Sequence, residues 1–459
     1  MPPRVVIIGG GFAGLASARA LASAPVEVIL IDRRNHHVFQ PLLYQVATAA
    51  LSPADIASPI RRVLRNVKNC RVVLAEPTSI DLHNRQVVFP DDYRVAYDWL
   101  VLAAGATHSY FGHDDWAAVA PGLKTLEDAT ELRRRILLAF ESAEYEGNED
   151  ARRAALTFAI VGGGPTGVEL AGAIKEIAAK TIPADFRFID TTTTRVILVE
   201  GEPRLLSAFP PELSERARRD LASMGVEVRL NTRVTDVSRD GVKAGDEYIP
   251  ARTVFWAAGV RGSPLGATLG VPLDRAGRVI VKPDLSIPGH PEAFVVGDLA
   301  AAYSADTNQP VPGVAQGALQ SGRYVGRLIA RETSYGQGPH TRPEPVARDL
   351  FIYRDKGSMA TIGRAKAVAW IRGMKFGGFL AWLLWGGIHV MFLVSFRNRL
   401  FVLATWAWNW FFFSRDARLI VGDSRIDLRS PRTADPPSRN PAQDFDSAAP
   451  VPPEQHAVS

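Results

Sequence analysis

The stretch Arg4-Val5-Val6-Ile7-Ile8-Gly9-Gly10-Gly11-Phe12-Ala13-Gly14 decides the fold. Its unbroken β-branched run predicts a strand over 5–8 buried on both faces, as in a parallel sheet. The glycines predict a tight turn, and a helix follows over 13–23. A second strand over 26–31 leads to Asp32. Glycines between strand and helix let backbone N–H groups approach a pyrophosphate at the positive helix end, and the acid accepts hydrogen bonds from an adenosine ribose. Gly9, Gly10, Gly11, Phe12, Ala13, Gly14, Asp32 and the adjoining Arg33 are thus candidates to bind a dinucleotide. A glycine-rich turn without a ligand would leave Asp32 unexplained.

The same order returns: strand 156–161, Gly162-Gly163-Gly164-Pro165-Thr166-Gly167, helix 165–179 and strand 195–200 ending at Glu200. The spacing to this acid exceeds the usual ~20 residues, so 182–194 must loop out. An acid there favours NADH over NADPH, with nearby Arg204 as the complication. Two more apolar strands, 99–104 and 253–258, end at Gly105 and Gly259.

These signals predict an α/β chain with two doubly wound, Rossmann-type dinucleotide-binding domains and a C-terminal membrane-associating helical segment. The first domain takes 1–115 and 291–365, the second 116–290. The membrane and dimer segment takes 366–418, and 430–459, rich in Pro, Ser, Ala and Asp, reads as a disordered tail. Two dinucleotide sites have an obvious use: one holds FAD, the other admits a nicotinamide, and hydride passes between stacked rings. Chain order assigns FAD to the first turn, with Gly297-Asp298 delivering a carboxylate to the ribitol hydroxyls. The alternative for Asp298 is a simple cap of the next segment.

The paired turns, Ala103-Ala104-Gly105, Trp256-Ala-Ala-Gly259 and Val296-Gly-Asp298 resemble the flavin-dependent pyridine-nucleotide oxidoreductases. Within that group Phe39-Gln-Pro-Leu-Leu-Tyr-Gln-Val-Ala47, Val168-Glu169, Ala315-Gln316-Gly-Ala-Leu-Gln320, Asp355-Lys-Gly-Ser-Met-Ala-Thr-Ile-Gly363 and Ser395-Phe-Arg-Asn-Arg399 resemble the type II NADH dehydrogenases. The resemblance covers about 4–415. It implies FAD and NADH as cofactors, a quinone as second substrate, Ala315 on the FAD side, and work at a bilayer surface without ion pumping. The chain has one cysteine, Cys70, so neither a disulfide reductase nor a sulfide:quinone reductase, which need more thiols, fits.

Gln316 and Gln320 are spaced i, i+4 and share a helix face, where their amides would bond a quinone carbonyl; solvent-facing glutamines are the alternative. Glu169 falls in the first turn of its helix, where a carboxylate also stabilises the helix dipole. The resemblance implies a role for it near the nicotinamide and quinone. Lys375, and less so Lys356, are basic candidates, with Lys375 assigned to the FAD side; surface lysines are the alternative.

Residues 376–396 carry no Asp, Glu, Lys or Arg, long enough to span a bilayer as one helix. The pairs Gly377-Gly378 and Gly386-Gly387 and the tryptophans favour helices lying in the interface, with Arg397, Arg399, Arg415 and Arg418 meeting anionic lipid. A buried core helix is the third reading, and a homodimer contact in this block is expected. The net charge of +5 without a dense basic tract argues against nucleic acid. The start of the chain runs directly into a strand with no secretory signal, so the expected location is the cytoplasmic face of the inner membrane, peripherally bound. A soluble NADH:acceptor reductase and a low-turnover FAD/NADH sensor remain as other readings.

Overall fold

Two parallel sheets with the same strand order organise the protein. The structure, a computed structural model, describes residues 1–334, 347–412 and 417–421. Its elements run β1 (Arg4–Ile8), α1 (Phe12–Ala20), β2 (Glu27–Asp32), β3 (Cys70–Leu74), β4 (Trp99–Leu102) and α2 (Leu126–Tyr145). Then come β5 (Thr157–Val161), α3 (Pro165–Glu176), β6 (Arg195–Val199), α4 (Pro211–Ser223), β7 (Val226–Arg229) and β8 (Thr253–Trp256). The chain continues through β9 (His290–Val295), α5 (Ala315–Ser334), β10 (Ser358–Gly363), β11 (Lys366–Ile371), β12 (Met374–Gly377), α6 (Phe379–Phe392) and α7 (Phe396–Phe412).

The first sheet runs β9-β4-β1-β2-β3, all parallel, with a short antiparallel edge at Ser286–Ile287. The second runs β7-β6-β5-β8, also all parallel. In each, the first strand lies beside both the second and a later crossover strand, the doubly wound arrangement that puts all loop ends on one edge. Val5, Val6, Ile7, Leu30, Leu100 and Val101 are fully buried, which explains the continuous apolar runs. An antiparallel ribbon, Ala106–His108 against Val260–Gly262, joins the two units.

Helix α1 packs on α5 at backbone distance. Ser17 Oγ donates to the Gly322 carbonyl at 2.9 Å, and a Cβ on Gly322 would lie 2.1 Å from the Ala13 carbonyl oxygen. This contact brings the start of α5 to the first glycine turn. The antiparallel sheet β10-β11-β12 packs similarly on α3: a Cβ on Gly172 would lie 1.6 Å from the Ile362 carbonyl oxygen.

Several expected boundaries shift. The α-helix predicted to 179 ends at Glu176 and widens into a π turn over Ile177–Thr181. The looped-out insertion is tied down by Glu144, whose carboxylate accepts the N–H groups of Arg187, Phe188 and Ile189 at 3.0–3.1 Å. The uncharged run from 376 is not one helix. Its first residues close β12, Gly378 turns at φ +71° and ψ −141°, and α6 then runs 14 residues. Among the described residues no helix is long and apolar enough to cross a membrane. Arg415 and the predicted tail, 430–459, lie outside the described residues.

Gly172→Ala is expected to lower the thermal midpoint clearly, since overpacking costs about 1–3 kcal/mol. Gly387→Ala, at an exposed helical site where a Cβ meets nothing within 4 Å, is expected to leave it unchanged or raise it. Calorimetry of both variants checks the pair, and equal midpoints would refute the close approach.

Candidate active site

The two glycine turns are built alike, atom for atom. In the first, Gly9 has φ +104°, its N–H donates to Ile31 O at 2.8 Å, and Ala103 N–H donates to Ile8 O at 2.8 Å. In the second, Gly162 has φ +110°, its N–H donates to Val199 O at 2.8 Å, and Ala257 N–H donates to Val161 O at 2.7 Å. A Cβ on Gly14 would lie 1.8 Å from Gly9 O, and one on Gly167 1.9 Å from Gly162 O. Side chains are impossible there, because each helix begins in contact with its own strand end.

The acids do a job the ribose expectation did not include. Asp32 accepts from Gly10 N–H at 2.5 Å and from Arg34 N–H at 2.7 Å. Glu200 accepts from Gly163 N–H at 2.5 Å and from Glu202 N–H at 2.8 Å. Each carboxylate pins its turn from the neighbouring strand. The helix starts themselves carry no side-chain cap: Gly11 and Gly164 are the N-cap residues, and a Cβ on either meets nothing within 4 Å. Uncapped first-turn N–H groups facing open space fit a pyrophosphate at both places. His37 supports the first turn. It is buried, its pKa is pushed down to about 4 mainly by burial, and its Nδ1 lies 3.2 Å from Gly10 O. A carbonyl only accepts, so Nδ1 carries the proton.

Other predicted residues gather less uniformly. Phe12 meets His37 and Phe39 edge-on, and Arg33 pairs with Glu76 at 3.0 Å on the surface. Gly105 opens one strand of the joining ribbon and leaves its Cβ side open, while Gly259, φ +78°, lies under the Phe111 ring. Asp298 follows β9 at the edge shared by the first turn and lies 3.8 Å from Lys124 Nζ, a residue the motifs did not flag. Ala315 starts α5 beside the loop through Gly313 that passes Asp298.

Gln316 and Gln320 share a face, and their amides bond to the 354–357 segment, mostly to its backbone and, for Gln316, also to Asp355 Oδ1 at 3.3 Å. Gln316 donates to Gly357 O at 3.0 Å and accepts from Lys356 N–H at 3.1 Å. Gln320 donates to Arg354 O at 2.9 Å and accepts from Arg354 N–H at 3.0 Å. They fasten 354–357 to α5. Lys375 is not near the first turn: it is exposed on β12 and pairs with Glu212 of α4 at 2.9 Å.

Glu169 is the fifth residue of α3, just past the dipole-stabilised first turn assigned to it from sequence. It lines a cavity of about 140 Å³ with Tyr44, Gln45, Thr361, Trp385 and Trp406. Burial pushes its carboxyl well above the ordinary range, opposed by a hydrogen bond from the Thr361 backbone. The lining also includes Glu176, Lys180 and Arg364, together with Trp382 of α6 and Asn409 and Trp410 of α7. A larger depression, about 720 Å³, lined by Val26, Glu27, Arg61 and Arg71, opens at the opposite edge of the first sheet, away from both turns. Among the described residues no cluster suits a metal ion.

Residues 3–322 match the family model for pyridine nucleotide-disulphide oxidoreductases, and 356–416 match that for the NDH2 C-terminal domain. The chain is 46% identical over 444 residues to the type II NADH:quinone oxidoreductase Ndh of Mycobacterium tuberculosis, covering 94% of this chain and 93% of that one. The chain belongs to the type II NADH:quinone oxidoreductases. An internal alternative NAD(P)H-ubiquinone oxidoreductase of Arabidopsis thaliana is 30% identical, covering 90% of this chain and 85% of that one. The Plasmodium falciparum NDH2 structure in complex with NADH superposes with TM-score 0.80 at 19% identity, over 92% of this chain and 100% of that one. At that identity the likeness concerns the fold. The part of the chain that matches the NDH2 C-terminal domain supplies Thr361, Arg364, Trp382, Trp385, Trp406 and Trp410 to the wall of the Glu169 cavity in this type II oxidoreductase.

The raised Glu169 pKa has a definite stability sign. Above the ordinary carboxyl range an unfolded chain releases this proton while the folded one keeps it, so folded stability falls as pH rises toward the raised value. The melting temperature of Glu169→Gln minus that of wild type should therefore grow from acid to alkaline pH. A difference independent of pH would rule out the buried, protonated state.

Proposed function

We propose that the chain oxidises NADH at the second glycine turn, through FAD held at the first, and delivers two electrons to a membrane quinone in the Glu169 cavity. FAD, when bound, accepts a hydride and returns electrons as a pair. The observation carrying this reading is that one helix serves both ends: α3 begins at the second turn and its fifth residue enters the cavity. In this reading 1–115 and 291–365 hold FAD, 116–290 holds NADH, and 366–418 meets the membrane.

Quinone reduction consumes two electrons and two protons; the hydride of NADH accounts for both electrons and one proton, and one more proton is needed. Glu169, whose carboxyl burial holds well above the ordinary range, is suited to give that proton from its carboxyl oxygen and to recover it through the polar lining at Glu176 and Lys180. No ion needs to cross the bilayer. Glu200 supports NADH over NADPH, because a 2′-phosphate would meet its charge. Arg204 does not offset this: its guanidinium donates to Ser207 O at 2.6 Å and to Phe209 O at 2.7 Å.

The exposed Phe379, Leu380, Leu383, Met391, Phe396, Leu400 and Phe411 of α6 and α7 support a lipid surface as the partner of this face. Arg397 and Arg399 flank it. We assign it to the cytoplasmic side of the inner membrane, with a second copy of the chain sharing the same block.

Anaerobic stopped-flow mixing separates the half-reactions. NADH should bleach the flavin at the same rate in wild type and Glu169→Gln, while reoxidation by quinone should slow about 100-fold in the variant. Unaltered reoxidation would reduce Glu169 to a structural residue. Glu200→Gln, which keeps an acceptor for Gly163 N–H, should raise the NADPH/NADH ratio of kcat/KM about tenfold. An unchanged ratio would remove Glu200 as the discriminator.

A further inference from the structure

We propose that Gln45 is a positioning residue for the quinone half-reaction, holding α7 in register over the cavity and fixing the direction of the Tyr44 hydroxyl. This rests on the quinone reading above.

Gln45 is 8% exposed and lies on the short helix Leu43–Ala47. Its backbone carbonyl accepts from Ala50 N–H at 2.8 Å and Leu51 N–H at 3.1 Å, so the residue cannot swing aside. Its side chain stands between two rings of the cavity wall. Trp406 Nε1 donates to Gln45 Oε1 at 2.7 Å, and Gln45 Nε2 donates to the Tyr44 hydroxyl at 2.9 Å. The order of donors is forced. An indole N–H can only donate, so the amide oxygen must face Trp406 and the amide NH2 must face Tyr44. Tyr44 accepts there, and its own proton is turned away from Gln45.

The same bond seats α7. Two further side chains of that helix reach the same stretch of chain: Asn409 Nδ2 donates to Ala50 O at 3.4 Å, and Asn398 Nδ2 to Ala54 O at 3.2 Å. Two of the three, Trp406–Gln45 and Asn409–Ala50, join residues that both line the cavity, and of these the Gln45 bond is the shorter, 2.7 Å against 3.4 Å, and the one made between two side chains. Trp406 also packs on Trp385 at 5.3 Å, and Trp385 on Tyr44 at 6.4 Å, which closes a ring of contacts around the Glu169 pocket. Hydrogen bonds are directional where apolar packing is not, so this bond selects one setting of α7 among those that bury similar area.

The test uses full-length, flavin-loaded enzyme in lipid vesicles with a short-chain ubiquinone. Gln45→Leu should raise the quinone KM about tenfold with a smaller change in kcat, while flavin bleaching by NADH keeps its rate. Trp406→Phe, which keeps a ring but lacks the N–H, should act in the same direction, and the double variant should be no worse than Gln45→Leu alone. Should Gln45→Leu fail to fold, Trp406→Phe carries the test. A quinone KM within twofold of wild type, additive effects, or a parallel loss of NADH-driven bleaching would overturn the proposal. If wild-type flavin, once reduced, is not reoxidised by quinone at all, the functional reading itself fails, and that outcome is distinct.

Discussion

Everything in this protein depends on backbone meeting backbone where two helices leave their sheets. Gly14 faces the Gly9 carbonyl and Gly167 the Gly162 carbonyl at separations that admit no side chain. The helices must start there, and their first N–H groups are left without side-chain acceptors. Unpaired N–H groups at a helix start carry the positive end of the dipole. The acids on the neighbouring strands neutralise little of it, because each is committed to one turn amide and one amide two residues on. A pyrophosphate bound there would complete hydrogen bonding that the side chains leave open.

From that starting point the separation of two chemistries follows. In the proposed arrangement dinucleotides sit at the strand ends, while the Glu169 cavity is lined in part by two helices with exposed apolar faces. Helix α3 is common to both. Its glycine Gly172 lets β10 approach so closely that the Ile362 carbonyl touches it, and Ile362, Thr361 and Gly363 then form cavity wall. A longer side chain at 172 would lift that wall away from Glu169. The upward push on the carboxyl's pKa is a consequence of this packing and not of any charged neighbour.

What the sequence made legible is what short-range constraint produces. Strand, glycine turn, helix and acid are read within about 30 residues, and the repetition of the unit at Gly162 gave the second site. Orientation across longer distance was not legible. The i, i+4 spacing placed Gln316 and Gln320 on one face correctly, but nothing near them announces that 354–357 covers that face. Lys375 is drawn to Glu212, 163 residues away in sequence. Glu169 was counted into the first turn, although a helix beginning at Pro165, as expected, makes it the fifth residue, just past that turn. Gln45 sat inside a quoted motif without being singled out, since its importance lies in an indole 361 residues on.

The terminal helix inverts the usual amphipathic logic. On α7 the inward side carries Asn398, Trp406 and Asn409, each donating to the body, along with the fully buried Val402. Its outward side carries Phe396, Leu400, Phe401, Leu403, Trp408 and Phe411, all exposed. In water such a helix would gain little by docking, because its apolar area stays wet either way. Against lipid the outward residues are satisfied, and the inward polar groups, which lipid cannot satisfy, have the protein as their partner. In the membrane-bound arrangement proposed above, the hydrophobic surroundings would strengthen the polar docking, and a quinone arriving from the same phase would meet a wall held in register by hydrogen bonds.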